Sequence, residues 1–290
     1  MRADGVAWAL CNRAVTDLRQ TPSSQAERVN QALLGDVMRI LESSGDWAQI
    51  RLEHDGYPGW IHRAALHPCS FEEASSYSAS GSMVVSAELL PARLDLRTSG
   101  WNEAGKLPFG LRLPLIKKRG KFSQLQLPDG RLWWVESSGL LSIELCPTPT
   151  TSGIAFALDL FKRFVGVPYL WGGRSPFGFD CSGFAATFWN FLGVNIPRDA
   201  DQQFLAGVSF EGAPQPGDLL FFGSLPDETP DPRQADRFSA VSHVAISLGG
   251  DEILHANGTA WGVSYNSLDP DHSYYRDWLR THFLGARRYA

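Results

Sequence analysis

A chain of 290 residues, 43% hydrophobic and 20% charged, has room for two or three packed domains and the make-up of an ordinary globular protein. A net charge of −5 and a pI near 5.8 offer no basic surface, so neither nucleic acid nor an anionic membrane is expected as a partner. Cys11, Cys69, Cys146 and Cys181 form no CxxC pair and no dense framework, which argues against a zinc ribbon or a disulfide scaffold.

The opening MRADGVAWALCNRAV has an apolar core of only Val6 to Cys11, preceded by Asp4, which is too short for a signal peptide. No run of eighteen apolar residues follows, and the expectation is a cytoplasmic protein. His62, His67 and Cys69 lie close together, but without a second matching cluster they read as a surface loop rather than metal ligands. No metal or cofactor is expected.

The first half of the chain repeats itself. Gly35 and Gly110 are 75 residues apart, as are Trp47 and Phe122; Gly56 and Gly130 are 74 apart, as are Trp60 and Trp134, and Leu66 and Leu140. So constant an offset implies two copies of one small unit. Each copy has short alternating segments, a turn signal at Asp55-Gly56 or Asp129-Gly130, and a Gly/Trp-rich strand, the pattern of a small β-barrel. The pattern resembles the bacterial SH3-like domain over about residues 6–68 and 82–145. The chain divides accordingly into a first barrel at 1–68, a Ser-rich polar linker at 69–81 and a second barrel at 82–146, with the remainder at 147–290. Two features set the first copy apart. Tyr57 sits at the tip of DGYPGW, where exposure is expected and the second copy has Arg131, and the acidic Glu27 has no counterpart.

After a boundary at Pro147–Gly153, Ile154, Leu158, Phe161 and Val165 are spaced for one helix face that ends at Gly166. The stretch YLWGGRSPFGFDCSGF then leads to Asp180, an N-cap residue type, so Cys181 is expected in the first turn of a helix. Unpaired N–H groups and the helix dipole there favour thiolate over thiol, which makes a nucleophile of a cysteine. By spacing alone Cys181 also fits a buried helical cysteine without chemistry. A helix from about Asp199, a buried strand at Gly217–Phe222 and a long loop from Gly223 to Ala240 follow. Next, VSHVAISLGGDEILHANG reads as a hairpin centred on Gly249. His243 and His255 then share a face, opposite each other or one diagonal step apart. Three arrangements are open: a base and the residue that orients it, two separately satisfied histidines, or zinc ligands together with Cys181.

The ordered motifs FDCSGF, PRDADQQ, QPGDLLFF, SHVAI and ILHANG, over residues 153–290, resemble the NlpC-type cell-wall cysteine peptidases. The resemblance implies an α+β, papain-like core after the two SH3-like barrels, with Cys181 as nucleophile, His243 as base and His255 as orienting residue. Tyr169 would support the oxyanion beside the Cys181 N–H. The combination with N-terminal barrels resembles γ-D-glutamyl-L-diamino acid endopeptidases, which recycle murein peptides. This implies an amine pocket for a free N-terminal L-Ala from Tyr57, Glu27 and Asp199, and a D-Glu site shaped by Trp171, Ser182 and Arg198. Ala200 stands where many relatives carry Ser, which removes one substrate hydrogen bond. The expected partner is a murein peptide, and a monomer is expected. A non-catalytic peptide-binding module, or an amidase or acyltransferase on the same core, are the alternative readings.

Overall fold

The computed structural model describes residues 7–97, 103–224 and 241–290. The chain divides into two compact units, one comprising Met1–Cys146 with Ser175–Phe177, the other Pro147–Arg174 with Gly178–Ala290.

In the first unit the repeat appears as backbone geometry. Trp47–Leu52 pairs antiparallel with Pro58–His62, and Phe122–Gln126 pairs with Leu132–Glu136, so that Trp47 faces His62 as Phe122 faces Glu136. Gly35 and Gly110 adopt φ of +88° and +86°, Gly56 and Gly130 +71° and +83°, values that residues with a Cβ avoid. The first copy folds into one seven-stranded sheet, whereas the second divides between a five-stranded and a three-stranded sheet.

Residues 69–81 depart from the expected polar linker. Phe71–Ala79 is a helix, α1, opened by a capping box in which Ser70 accepts from the Glu73 N–H and Glu73 accepts from the Ser70 N–H. Ala74 is buried, the Phe71 ring lies tilted at 4.7 Å from Trp8, and the Tyr77 hydroxyl donates to the Gln126 carbonyl at 2.9 Å. The serine content that suggested a flexible connection therefore sits partly at a cap and partly on a solvated face. Leu34 of the first copy lies in the core of the second, so the copies share apolar packing. Tyr57, expected to be exposed, is partly buried against the first copy's core, because the Asp55 carboxylate accepts from the Tyr57 N–H and folds the turn back.

The second unit begins with helix α2 (Thr151–Phe161), which passes into a single 3-10 turn and stops at Gly166 with φ +92°. Ala157, Leu158, Leu160, Phe161 and Phe164 take its buried face; Val165, assigned to that face from spacing, is 43% exposed because the 3-10 turn shifts the helical phase. Helix α3 (Cys181–Phe191) packs on α2 through edge-on rings, with Phe161 at 5.3 Å from Phe184 and 5.2 Å from Phe188. Each fully buried Phe contributes roughly 2 kcal/mol of apolar burial, and each edge-on pair about 1 kcal/mol more. After α4 (Ala200–Ala206) come strands β1 (Leu219–Gly223), β2 (Val241–Gly249), β3 (Glu252–Asn257) and β4 (Gly262–Ser267), then the short helix α5 (Asp277–Thr281) and β5 (Phe283–Arg287). They form one antiparallel sheet in the order β4-β3-β2-β1-β5, with α3 against β2 and β3. Of the loop expected at 223–240, residues 225–240 lie outside the described residues. Among the described residues no helix is long and apolar enough to cross a membrane.

Candidate active site

Asp180 makes the seat of the sulfur. As N-cap of α3 its carboxylate accepts from the Gly183 N–H at 2.7 Å and the Gly172 N–H at 2.8 Å, so one side chain fastens the preceding loop to the helix tip. Gly183 has to be glycine, since a Cβ there would lie 2.2 Å from the Gly173 carbonyl oxygen. Arg198, 2% exposed, donates to Asp180 at 2.6 Å and to the Ser182 hydroxyl at 2.8 Å. Gln203, also buried, donates to the Ser182 carbonyl at 3.0 Å.

Cys181 is thereby the first residue of α3 and is 9% exposed, with the backbone N–H groups of Val244 and Ser182 toward its sulfur. The sequence predicts a thiolate from the helix dipole. The structure differs: burial, then the Asp180 charge next to it, push the thiol up to about 12 against the pull of Val244, Arg198 and Ser182. Burial here works against the helix dipole and favours the thiol.

The histidines stand on the sheet that α3 packs against. His243 immediately precedes Val244 on β2 and pairs across from Phe222, next to a bulge between Phe222 and Gly223. β2 and β3 pair with Ile246 opposite Leu254, a register that puts His243 one diagonal step from His255. This is the second of the two geometries predicted; a bulge near Gly249 shifts the hairpin centre. His243 Nε2 and His255 Nδ1 are 2.7 Å apart.

His255, 3% exposed, meets two amides at its far nitrogen. Asn266 Oδ1 lies 2.9 Å from His255 Nε2, an orientation fixed because the Asn266 amide donates to the Tyr274 carbonyl. Asn257 Nδ2 lies 2.9 Å from the same atom and is likewise fixed, donating to Ser264 Oγ while its oxygen accepts from the Ala260 N–H. One amide accepts and the other donates, so either tautomer of His255 finds a partner. With Nε2–H turned to Asn266, His255 Nδ1 accepts from His243 Nε2–H, and His243 Nδ1 keeps its lone pair. Burial pushes His255 down to about 4, and burial with the neighbouring ring holds His243 well below its ordinary value, so both rings are neutral at pH 7. With their facing nitrogens bonded to each other and to amides, the rings do not form the zinc site that sequence left open. Among the described residues no group of three His, Cys, Asp or Glu is arranged to hold a metal.

Tyr169 lies on a segment that pairs with the β3–β4 turn, its N–H donating to the Trp261 carbonyl at 2.9 Å. Burial, then the charges of Cys181 and Asp180, raise its phenol, which stays a protonated donor near the sulfur. Trp171 is 59% exposed, and Asp199 is the N-cap residue of α4. Cys181, Ser182, Arg198, Tyr169, His243 and His255 thus all belong to the second unit, with Arg198 bracing Asp180 and Ser182 from beneath. In the first unit, Glu27 is exposed just before strand Arg28–Leu33, and Tyr57 precedes strand Pro58–His62. Asn257 and Asn266 were missed by sequence reasoning. Asn257, two residues from His255 and so on the same face of β3, carried a signal; Asn266 becomes visible only once β4 is in register.

A cysteine at a helix tip, packed on strands that carry two bonded imidazoles, supplies the parts of a cysteine hydrolase. The pattern of the NlpC/P60 family matches residues 166–283, and that of the bacterial dipeptidyl-peptidase Sh3 domain matches residues 18–66. Dipeptidyl-peptidase 6 of Lysinibacillus sphaericus is 35% identical over 292 residues, covering 92% of this chain and 94% of its own. A γ-D-glutamyl-L-lysine dipeptidyl-peptidase of Bacillus cereus is 28% identical over 89% of this chain and 74% of its own. The solved structure of an NlpC/P60 family protein from Bacillus cereus superposes with a TM-score of 0.80 at 24% identity, covering 97% of this chain and 99% of the other. The chain belongs to the NlpC/P60 family and is a cysteine peptidase with an SH3-like region before its catalytic fold.

Proposed function

We propose that this peptidase hydrolyses the γ-D-Glu–diamino acid bond of murein peptides that begin with a free L-Ala, and that it serves in recycling cell-wall fragments. The observation that carries the chemistry is the 2.7 Å bond between His243 and His255, one residue from the backbone N–H that faces the Cys181 sulfur. The names borne by the relatives, dipeptidyl-peptidases and in one case γ-D-glutamyl-L-lysine-specific, support the bond and the free end.

The Cys181 thiol attacks the γ-carbonyl and its proton passes to His243 Nδ1, the imidazolium being steadied by His255. The oxyanion receives the Tyr169 hydroxyl and the Cys181 N–H, which has no acceptor within the helix. As the C–N bond breaks, His243 gives its proton to the leaving amine and a thioester remains on Cys181. Water, deprotonated by His243, then releases L-Ala-γ-D-Glu. Trp171 and Ser182 are the residues assigned to D-Glu, with Arg198 acting through Ser182. A free amine needs a negative acceptor, the role that the resemblance gives to Glu27.

Mass spectrometry of products from L-Ala-γ-D-Glu-diamino acid peptides, free and N-acetylated, tests this. Cleavage at the γ-bond is expected only with Cys181 present; Cys181→Ala lowers turnover by about four orders of magnitude or more and keeps the fold. Acetylation costs about ten- to hundredfold in kcat/KM, the worth of a charged hydrogen bond. Equal rates on both peptides would remove the free-amine requirement, and hydrolysis by Cys181→Ala would remove the mechanism.

A further inference from the structure

Two amides contend for one ring nitrogen. Asn266 Oδ1 and Asn257 Nδ2 both lie 2.9 Å from His255 Nε2, and a neutral imidazole nitrogen can satisfy only one of them. Carrying a proton, Nε2 donates to Asn266 and meets an N–H of Asn257; bare, it accepts from Asn257 and meets the Asn266 oxygen. Neither amide can turn over to escape. The Ala260 N–H, at 2.7 Å, needs the Asn257 oxygen where it is, and the Tyr274 carbonyl, at 2.9 Å, needs the Asn266 nitrogen. Both residues are no more than 9% exposed, so bulk water does little to relieve whichever amide loses.

The outcome reaches His243 through the 2.7 Å bond between the rings. With a proton on His255 Nε2, His243 donates from its own Nε2 and keeps a lone pair on Nδ1, the atom that takes the thiol proton in the proposed mechanism. With the proton on His255 Nδ1 instead, that atom donates to His243 Nε2, and the single proton of a neutral His243 sits on Nδ1. The lone pair is then at the wrong nitrogen, and the base is silent. Burial keeps both rings neutral, so each has one proton to place.

We propose that Asn266 and Asn257 are opposed positioning residues. Asn266 holds the histidine pair in the tautomer that can accept the Cys181 proton, Asn257 holds it in the one that cannot, and their balance sets the share of active enzyme. The inference rests on the mechanism proposed above. Each amide pulls with one neutral hydrogen bond, about five- to tenfold in the tautomer ratio.

Nitrogen NMR of protein carrying isotope-labelled histidine, which shows the ring nitrogen that bears each proton, is set beside kcat near pH 7. In wild type the His255 signals are expected to lie between those of the two tautomers. Asn266→Ala moves them toward Nδ1–H and lowers kcat by about five- to tenfold. Asn257→Ala moves them toward Nε2–H and raises kcat by about twofold, since roughly half of the wild-type molecules are already productive. Where loss of the Ala260 contact unsettles the turn, Asn257→Asp keeps that acceptor and presents no N–H to the ring, and it has to shift the signals the same way. The double variant Asn257→Ala/Asn266→Ala returns to within about threefold of wild-type kcat, whereas two merely structural losses would compound. A His255 tautomer that neither substitution moves, or a double variant slower than Asn266→Ala, would overturn the assignment. Failure of wild type to cleave murein peptides would instead sink the proposed function, and the spectra alone would then decide between the amides.

Discussion

The helix tip that carries Cys181 and the strands that carry the imidazoles pack together but are held by unlike chemistry. The tip of α3 is fastened by a charged bracket: Asp180, 6% exposed, binds two backbone N–H groups and the buried guanidinium of Arg198. The histidine end has no ion in its bracket; His255 is held by the amides of Asn257 and Asn266. A buried charge pair fixes one geometry at high cost to any change, while paired amides tolerate movement of a proton from one ring nitrogen to another. In the proposed mechanism the sulfur needs only a fixed place, whereas His243 needs a fixed place and two protonation states, and the support behind it is correspondingly neutral.

Removing one half of the charged bracket should have the largest effect. Asp180→Ala takes away the carboxylate that the buried Arg198 guanidinium binds and frees the loop before α3, for a loss of about 3–5 kcal/mol. Urea unfolding measures it, and a loss under 1 kcal/mol would mean that the bracket is not the anchor.

The neutral bracket makes itself felt through pH. His255 has a folded value of about 4 against an ordinary 6.5, so the unfolded chain takes up this proton first as pH falls. Its contribution is therefore whole above pH 6.5 and declines between 6.5 and 4, by as much as about 3 kcal/mol. Unfolding curves from pH 7.5 to 4.5 should show that slope in wild type and a smaller one in His255→Gln. Parallel curves would contradict a neutral buried ring.

Asn266→Ala should be the mildest change. It removes one neutral hydrogen bond, worth about 1 kcal/mol, while Asn257 still contacts the ring. kcat should fall by no more than about tenfold with KM nearly constant. A fall as large as that of Cys181→Ala would place Asn266 in the reaction itself.

The place of Cys181 at a helix tip, the pairing of the two histidines and the repeat were legible because each rests on short-range rules. An Asp before a helical run caps it, strand alternation puts two histidines of one hairpin on a face, and paired glycines at a fixed offset mark the same left-handed turns twice. Less legible was whatever depends on distant chain. The serines of 69–81 read as a linker because the partners of Phe71 and Tyr77, Trp8 and Gln126, lie far away in sequence. The thiolate expected at Cys181 followed from the helix dipole, a local property, whereas the burial that opposes it is a global one. Asn266 required the sheet to be assembled.

Trp261 is the one described residue with a side chain that adopts positive φ, at 54°, and its indole is 79% exposed. That costly backbone turns its carbonyl toward the Tyr169 amide, while Gly262 and Val263 beside it continue along β4 next to His255's strand. The phenol that would steady the oxyanion is thus tethered to the same hairpin that carries the orienting histidine. Tyr169 and His255 share one anchor, the β3–β4 hairpin, and a substitution that displaced its turn would reach both residues.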